Sequence, residues 1–534
     1  MGRTETEQRI ETPVLVVGAG PVGAVLALEL ARHGVSSVLL DRSMTASQHP
    51  KMDYLNGRSM ELLRRLDLAD EIRSAGVAPE HSFNFIWSRD FDEPPIAVWE
   101  YASVAQLSER IARTRDGSLP AEAHQRLRGS LLEQVLRRRA EAEPLVDFRP
   151  GWKFEALNDN GDGVRALASD TVNRSMWTID ARFVIGCDGA NSRVRANLGV
   201  QTQQLGPTTM HRDVYFRSAD PVLRRHGRAF LTVAAGGLTL VSRDEQDTWT
   251  GTVYLADERV RADDPIALMR RNLGADFAVD EVLNITEWEG RLSVSDSYRF
   301  GSVFLAGDSA HQFYPTGGHG ANTGVGDAVD LGWKLAAYLH GWGGRALLDS
   351  YQAERRPVAL FNREMCGTLQ EVWIRFPRLV AHGASRAHLA GFLAKESFQI
   401  DNLGVHFGYR YDSSPVVCHE DGEPPEWQWD RIVPGTWPGG RAPATRSADG
   451  TPVFDRLGPE FTLVDGSGAH VGKRLVEAAE RRGVPMRYVV LDQDDERAVW
   501  ERELVLVRPD QHVAWRGDDE PPRWDTVLDR VTGH

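Results

Sequence analysis

Cysteine is nearly missing: Cys187, Cys366 and Cys418 are the only three among 534 residues, too far apart to suggest a metal site or a redox pair. That excludes a disulfide-built scaffold and suits a reducing compartment, so a cytoplasmic location is expected. Positive charge is the minority sign. With 62 Lys and Arg against 76 Asp and Glu, the net charge of −14 argues against a nucleic-acid partner. The main basic run, Arg137 to Arg139, falls on an expected helix and reads as a solvated face. A long unbroken apolar run is also lacking. "VLVVGAGPVGAVLALELA" is interrupted by glycines and Pro21 and contains Glu29, so it reads as a buried strand, turn and helix, and no membrane partner is expected. The polar opening "MGRTETEQRIETP" lacks the charged-then-apolar order of a secretory signal.

What remains is an ordinary globular composition, 41% hydrophobic and 26% charged, in a chain long enough for two or three domains. The run Val14 to Val17 reads as a strand, "GAGPVG" as a turn, Val22 to Ala31 as a helix that Gly34 ends, and "SSVLLDR" as a second strand closing at Asp41. Residues 58 to 73 and 125 to 140 show helical periodicity. Between about 205 and 290, "AFLTV", "GLTLVS" and "TGTVYLA" alternate as antiparallel sheet does. "GSVFLAGD" then returns as a buried strand, a helical zone follows from roughly 320 to 400, and a Pro- and Gly-rich connector leads to a final α/β unit. Trp333, Leu335 and Tyr338 are expected in the core. Trp249 and Trp288 are expected to roof a ligand pocket.

Two stretches carry chemistry on their own. Gly18, Gly20 and Gly23 follow a strand and open a helix, with Asp41 about 20 residues on; this is the context in which such glycines hold a dinucleotide pyrophosphate and the acid its ribose. Whether the dinucleotide is NAD or FAD stays open from this motif. The second stretch is "GDSAHQFYPTGGHGANTG", residues 307 to 324, where five glycines strip side chains from a loop that feeds a helix N-terminus. A strand ending at Asp308 would set that carboxylate against a polyol, with bare backbone facing a flat ring. NAD offers nothing for this second site, whereas FAD has a ribityl chain and an isoalloxazine. "FVIGCDGANSRVR", residues 183 to 195, reads by itself as a strand-to-helix turn with an Asp cap.

Taken in order, "VVGAGPVG", "GCDGANS" and "VFLAGDSAHQFYPTGGHGANTGVGDAVDLGWKLA" resemble the class A flavoprotein monooxygenases that hydroxylate aromatic compounds. "GRSMELLRRL", the Gln125 helix, "YQAERRPVA" and "VLVRPDQHVAWRGD" extend the likeness to the phenol and polyketide hydroxylase branch. The resemblance implies a Rossmann-type, glutathione-reductase-like α/β FAD-binding domain over residues 1–200, an antiparallel β-sheet substrate domain over 201–290, completion of the FAD domain and a helical region over 291–400, and a thioredoxin-like C-terminal domain over 401–534. Without a CxxC pair, that last domain is read as structural. FAD would be the cofactor, NAD(P)H the co-substrate, and an aromatic compound and O₂ the reaction partners; a homodimer fits the family.

Residue by residue, the resemblance implies that Gly18, Gly20 and Gly23 hold the pyrophosphate and Asp41 the adenosine ribose, with Arg42 and Lys51 also on the cofactor. Gln125 and Asp308 would serve the diphosphate and ribityl region, and Asp188 belongs to a segment used for FAD and NAD(P)H. Pro315, Gly317, Gly318, Gly320, Ala321 and Asn322 would line the flavin ring. Lys51 stands where an Arg is usual, Tyr314 where a second proline is common, and Gly326 and Asp330 replace a frequent Gln and Asn, changes expected to alter the pocket. The implied reaction has NAD(P)H reduce the flavin, O₂ add to give a C4a-hydroperoxide, and an electron-rich ring take the distal oxygen. Asp53 occupies the place of an active-site aspartate in this branch and would be the general base; read without the resemblance, it is a loop Asp bonding local backbone. Baeyer–Villiger insertion, epoxidation and a flavin-binding scaffold without turnover are the alternatives.

Overall fold

Val14 to Val17 are buried at the end of the strand Gln8–Val17, and the helix Pro21–Arg32 follows after three residues, with Pro21 at its first position where a missing N–H costs nothing. The computed structural model describes residues 8–48, 51–399, 402–469 and 471–534, so residues 1–7 of the polar opening fall outside the description. Gln8–Val17 lies between two parallel neighbours, Ser37–Asp41 and Ser175–Gly186, and Val303–Leu305 extends the sheet beyond the latter. The register pairs Val17 with Leu40 and with Gly186, and Gly186 with Leu305. The residues that follow these strands therefore share one edge: Gly18, Asp41, Asp188 and Asp308. Ligands of open α/β sheets bind at this carboxyl edge.

A second, seven-stranded sheet runs Glu281–Gly290, Thr209–Arg217, Thr248–Tyr254, Leu238–Ser242, Leu231–Ala234, Phe85–Ser88 and Ala97–Trp99. All its pairs are antiparallel except Leu231–Ala234 with Phe85–Ser88. Two of its strands thus come from residues 85–99, inside the stretch assigned to the first domain, because a pairing between residues so far apart leaves no local signal. Trp249 needs a second correction. It packs with Val214, Phe216 and Val253 against Leu268, Met269 and Leu273 of the helix Pro265–Leu273, and so supports the outer face. Its register partners place Asp213, Tyr215, Thr250 and Thr252 on the opposite face, where Trp288 also lies, paired with His211.

The 58 to 73 stretch is two helices, Gly57–Arg64 and Ala69–Ala75, separated at Asp67, whose φ of 56° cannot continue a right-handed helix. The helix expected from residue 125 begins at Gly129 instead, since Gln125 and Arg126 pair with Leu55 and Tyr54 as a short β-ladder. Helices His319–Leu339 and Arg345–Ala381 back the first sheet, and Trp333 and Leu335 are fully buried. The C-terminal sheet runs Met486–Val490, Phe461–Asp465, Leu504–Val507, Val513–Gly517, with the first pair parallel across the helix Lys473–Arg481 and the others antiparallel, as in a thioredoxin-like domain. Among the described residues no helix is long and apolar enough to cross a membrane.

Candidate functional site at the carboxyl edge of the first sheet

The three glycines of the first turn have different duties. Gly18 sits at φ +104°, and a Cβ there would lie 2.5 Å from the Cys187 carbonyl oxygen; one on Gly23 would lie 1.9 Å from the Gly18 carbonyl oxygen. Both are required for strand, turn and helix to approach each other. Gly20 is different: an added Cβ would meet only Glu133 Oε1, at 3.8 Å. Its bare backbone leaves room for something that is not protein. Asp41 accepts the Ala19 amide at 2.9 Å and the Ser43 amide at 2.7 Å, and pairs with Arg137 at 3.1 Å. Arg42 and Lys51 are exposed on either side of the intervening loop.

At the other end of the edge, Gly307 has φ +62° and a Cβ there would meet Val22 Cγ2 at 2.8 Å, as would one on Gly324 at 2.5 Å. This lets the helix His319–Leu339 sit directly on the turn. Asp308 is exposed, and its carboxylate has no hydrogen-bond partner among the described residues. The surrounding protein pushes its carboxyl above the ordinary carboxylate range, while His311, Lys51 and Arg195 pull the other way. His311 is a buried structural group, 2.8 Å from Asp327, which also accepts from Arg355 and the Gly307 amide.

Gly317 and Gly318 both adopt left-handed φ, 75° and 66°, and a Cβ on Gly318 would press on the Tyr54 ring at 2.8 Å. A Cβ on Gly320 would meet nothing within 4 Å, so the first turn of the helix stands open. Pro315 is exposed and Ala321 half-buried beside it. Asn322 is buried and spends its side chain on stitching: its Oδ1 accepts the Asn56 amide at 2.9 Å, and its Nδ2 donates to Tyr54 O at 3.1 Å and Gly318 O at 2.6 Å. The loop and the segment Tyr54–Asn56 are thereby one unit.

Two expected residues are already committed within the protein. Asp188 accepts from Ser192 Oγ and from the amides of Arg193 and Val194, capping the short helix Arg193–Asn197, while Arg195 reaches across to Ser309 O at 2.7 Å. Gln125 is buried, donating to Val77 O and Arg126 O and accepting from Arg73. The altered positions also turn out to serve packing: Gly326 leaves space for the Arg355 guanidinium, 2.6 Å from where a Cβ would be, and Asp330 faces the C-terminal domain.

Asp53 lies one residue before the stitched segment and points to the inner face of the second sheet. Its carboxylate pairs with Arg243, whose Nε donates to Thr250 Oγ1 at 2.8 Å. Burial raises the Asp53 carboxyl above its ordinary range, against the lowering pull of Arg243 and Arg126. Arg243 was not identified from the sequence, and 190 positions from its partner no spacing could have found it. Beside it, Tyr54, Phe83, Phe85, Trp87, Trp99, Tyr101 and Phe230 form an aromatic cluster.

The fit to FAD is therefore one of form: a stripped turn open at Gly20, an unpartnered carboxylate at Asp308, and a helix N-terminus bare at Gly320. The FAD binding domain family matches residues 11–362, and the aromatic-ring hydroxylase C-terminal family matches residues 435–534. The chain belongs to the FAD-binding aromatic-ring hydroxylases. This hydroxylase is 35% identical to the FAD-dependent monooxygenase apdD of Emericella nidulans, over 96% of this chain and 88% of that protein. It is 26% identical to a phenol 2-monooxygenase of a Pseudomonas species, over 97% and 92% of the two chains. Among solved structures it superposes on RebC with bound 7-carboxy-K252c at a TM-score of 0.86 and 32% identity, covering 98% and 99% of the chains. The flavin-dependent monooxygenase PieE, in complex with FAD and substrate, gives 0.88 at 27% identity, covering 98% and 99%. The hydroxylase is thus an FAD-dependent monooxygenase acting on aromatic compounds, with NAD(P)H as the electron donor typical of its class.

Proposed function

We propose that this hydroxylase oxygenates a phenolic or polycyclic aromatic substrate with O₂, and that Asp53 removes the phenolic proton. The observation that carries the reading is the position of Asp53, tied through Tyr54–Asn56 to the glycine loop and facing the polar inner side of the second sheet. Polycyclic ligands in relatives of this fold support the substrate class: 7-carboxy-K252c in RebC, and aklavinone in aklavinone-11 hydroxylase, which covers the whole chain at a TM-score of 0.81 and 25% identity.

Gly18, Gly20, Gly23, Asp41, Arg42, Lys51 and Asp308 would hold the cofactor along the sheet edge, with Pro315, Gly317, Gly318, Gly320 and Ala321 beside its ring system. Bound FAD supplies hydride acceptance and oxygen activation. The protein orients the aromatic ring and excludes water from it. A raised carboxyl makes the Asp53 carboxylate a stronger base than an ordinary one, and Arg243 fixes the direction of that carboxylate before it takes the proton. Deprotonation makes the ring more electron-rich at the carbon to be oxygenated.

Anaerobic stopped-flow reduction of the protein-bound flavin by NADPH, with and without a panel of phenols and polycyclic aromatics, tests the reading. Strong acceleration by one class supports a substrate-gated hydroxylase. No acceleration by any of them, with flavin fully bound, contradicts it.

A further inference from the structure

Glu133 has no role in the reading so far, yet it stands at the dinucleotide turn. It lies on the helix Gly129–Ala142, which packs against the helix Pro21–Arg32. Its Oε2 accepts the Ser47 amide at 2.5 Å, fastening the segment 42–48 that follows Asp41. Its Oε1 accepts no hydrogen bond from a described residue and is the only heavy atom within 4 Å of the position a Cβ on Gly20 would take. Arg137, one turn along the same helix, bridges to Asp41.

A carboxylate beside a turn built for a diphosphate is a sign conflict unless it faces a neutral part of the ligand. The nearest neutral part with donors is the adenosine ribose, which carries two hydroxyls. Asp41 cannot easily serve both: a carboxylate offers about four lone-pair sites. Two of those at Asp41 are already taken by the Ala19 and Ser43 amides, and Arg137 crowds the same carboxylate at 3.1 Å. One ribose hydroxyl is left needing an acceptor, and Glu133 Oε1 is the acceptor without a donor.

We propose that Glu133 is a second carboxylate for the adenosine ribose of FAD, its Oε1 accepting one hydroxyl while Oε2 holds the loop. The inference rests on the FAD reading of the sheet edge.

The test is a flavin-fluorescence titration of the deflavinated full-length protein with FAD and with an FAD analogue lacking both hydroxyls on the adenosine ribose. Glu133→Ala is expected to weaken FAD about 10- to 100-fold but the analogue by less than about threefold. Glu133→Gln keeps a carbonyl oxygen for the Ser47 amide and guards against a loop that simply comes loose; it should weaken FAD and leave the analogue unchanged. Equal weakening of both ligands in both variants would reduce Glu133 to a loop anchor and overturn the proposal, as would unchanged FAD affinity. A wild-type protein that binds no FAD would fault the cofactor reading instead.

Discussion

The edge of the first sheet and the junction with the C-terminal domain are both crowded with polar groups, but they spend them in opposite ways. At the junction, Arg508 donates to Glu354, Asp330 and Asp510, and Lys334 donates to Asp330 and Glu354, all five side chains being buried. Arg58 adds bonds to Asp510 O and Gln511. The three carboxylates come within 4.8 Å of one another, close enough to suggest a metal, yet Lys334 and Arg508 already sit among them as the cations. With two cations against three acids, burial holds the Asp330 carboxyl far above its usual range, while Arg508 and Lys334 hold Glu354 below its own despite burial. At the sheet edge Asp41 and Asp188 are bonded within the protein, but Asp308 has no hydrogen-bond partner among the described residues, a Cβ on Gly20 would meet only Glu133 Oε1 at 3.8 Å, and one on Gly320 would meet nothing within 4 Å. The paired charges at the junction join the C-terminal domain, which lacks a CxxC pair, to the helices His319–Leu339 and Arg345–Ala381, whereas the carboxylate of Asp308 at the sheet edge is spent on no such bond among the described residues.

The contrast is broken first at the junction. Arg508→Ala leaves three buried carboxylates facing a single lysine and should cost about 3–5 kcal/mol of stability, read as a large fall in Tm of protein with and without FAD. A fall confined to the FAD-loaded form would place Arg508 with the ligand instead. Asp53→Asn comes next: FAD should bind as before while kcat falls about 10²-fold and the acid limb of the pH profile, set by a raised carboxyl, disappears. Unchanged turnover across pH would remove Asp53 from the chemistry.

The glycines sharpen the comparison within one motif. Gly23→Ala forces a contact of 1.9 Å and should cost about 1–3 kcal/mol or more, whereas Gly20→Ala, with 3.8 Å to its nearest neighbour, should leave apoprotein stability within about 0.5 kcal/mol and weaken FAD about 10-fold or more. Equal losses of stability would erase the distinction. The smallest effect concerns a second buried contact between domains, His33 with Glu29 and Glu460. Burial alone would lower His33, but the hydrogen bonds and charges of Glu29 and Glu460 raise it to about 9. Because this folded value exceeds the ordinary one, its stabilisation is complete below about pH 6.5 and is lost as pH rises through about 9. His33→Gln should therefore cost about 1–2 kcal/mol at pH 6 and almost nothing at pH 10 in thermal unfolding.

The sequence made legible what is local in the chain. Strand, glycine turn, helix and acid follow each other within residues 14–41, and the loop 307–324 announces its own bareness, so these positions needed no tertiary information. Long-range partnerships were hidden: Arg243 for Asp53, Arg508 for Glu354, and strands 85–99 for the second sheet. Trp249 shows a subtler limit. Period-two alternation correctly groups it with Val253, but only the helix Pro265–Leu273 decides which face that group covers. Gln125 failed differently, since helical periodicity persisted through a residue whose backbone is claimed by Leu55.

The most direct test of the claim that unspent polar capacity marks the cofactor site is Asp308→Ala. FAD affinity and apoprotein Tm are measured together, by titration and by thermal unfolding. FAD binding is expected to weaken about 10-fold or more with Tm unchanged within about 2 °C, because Asp308 has a ligand to lose and no hydrogen-bond partner among the described residues. Unchanged affinity, or a collapse of Tm in the apoprotein, would contradict it.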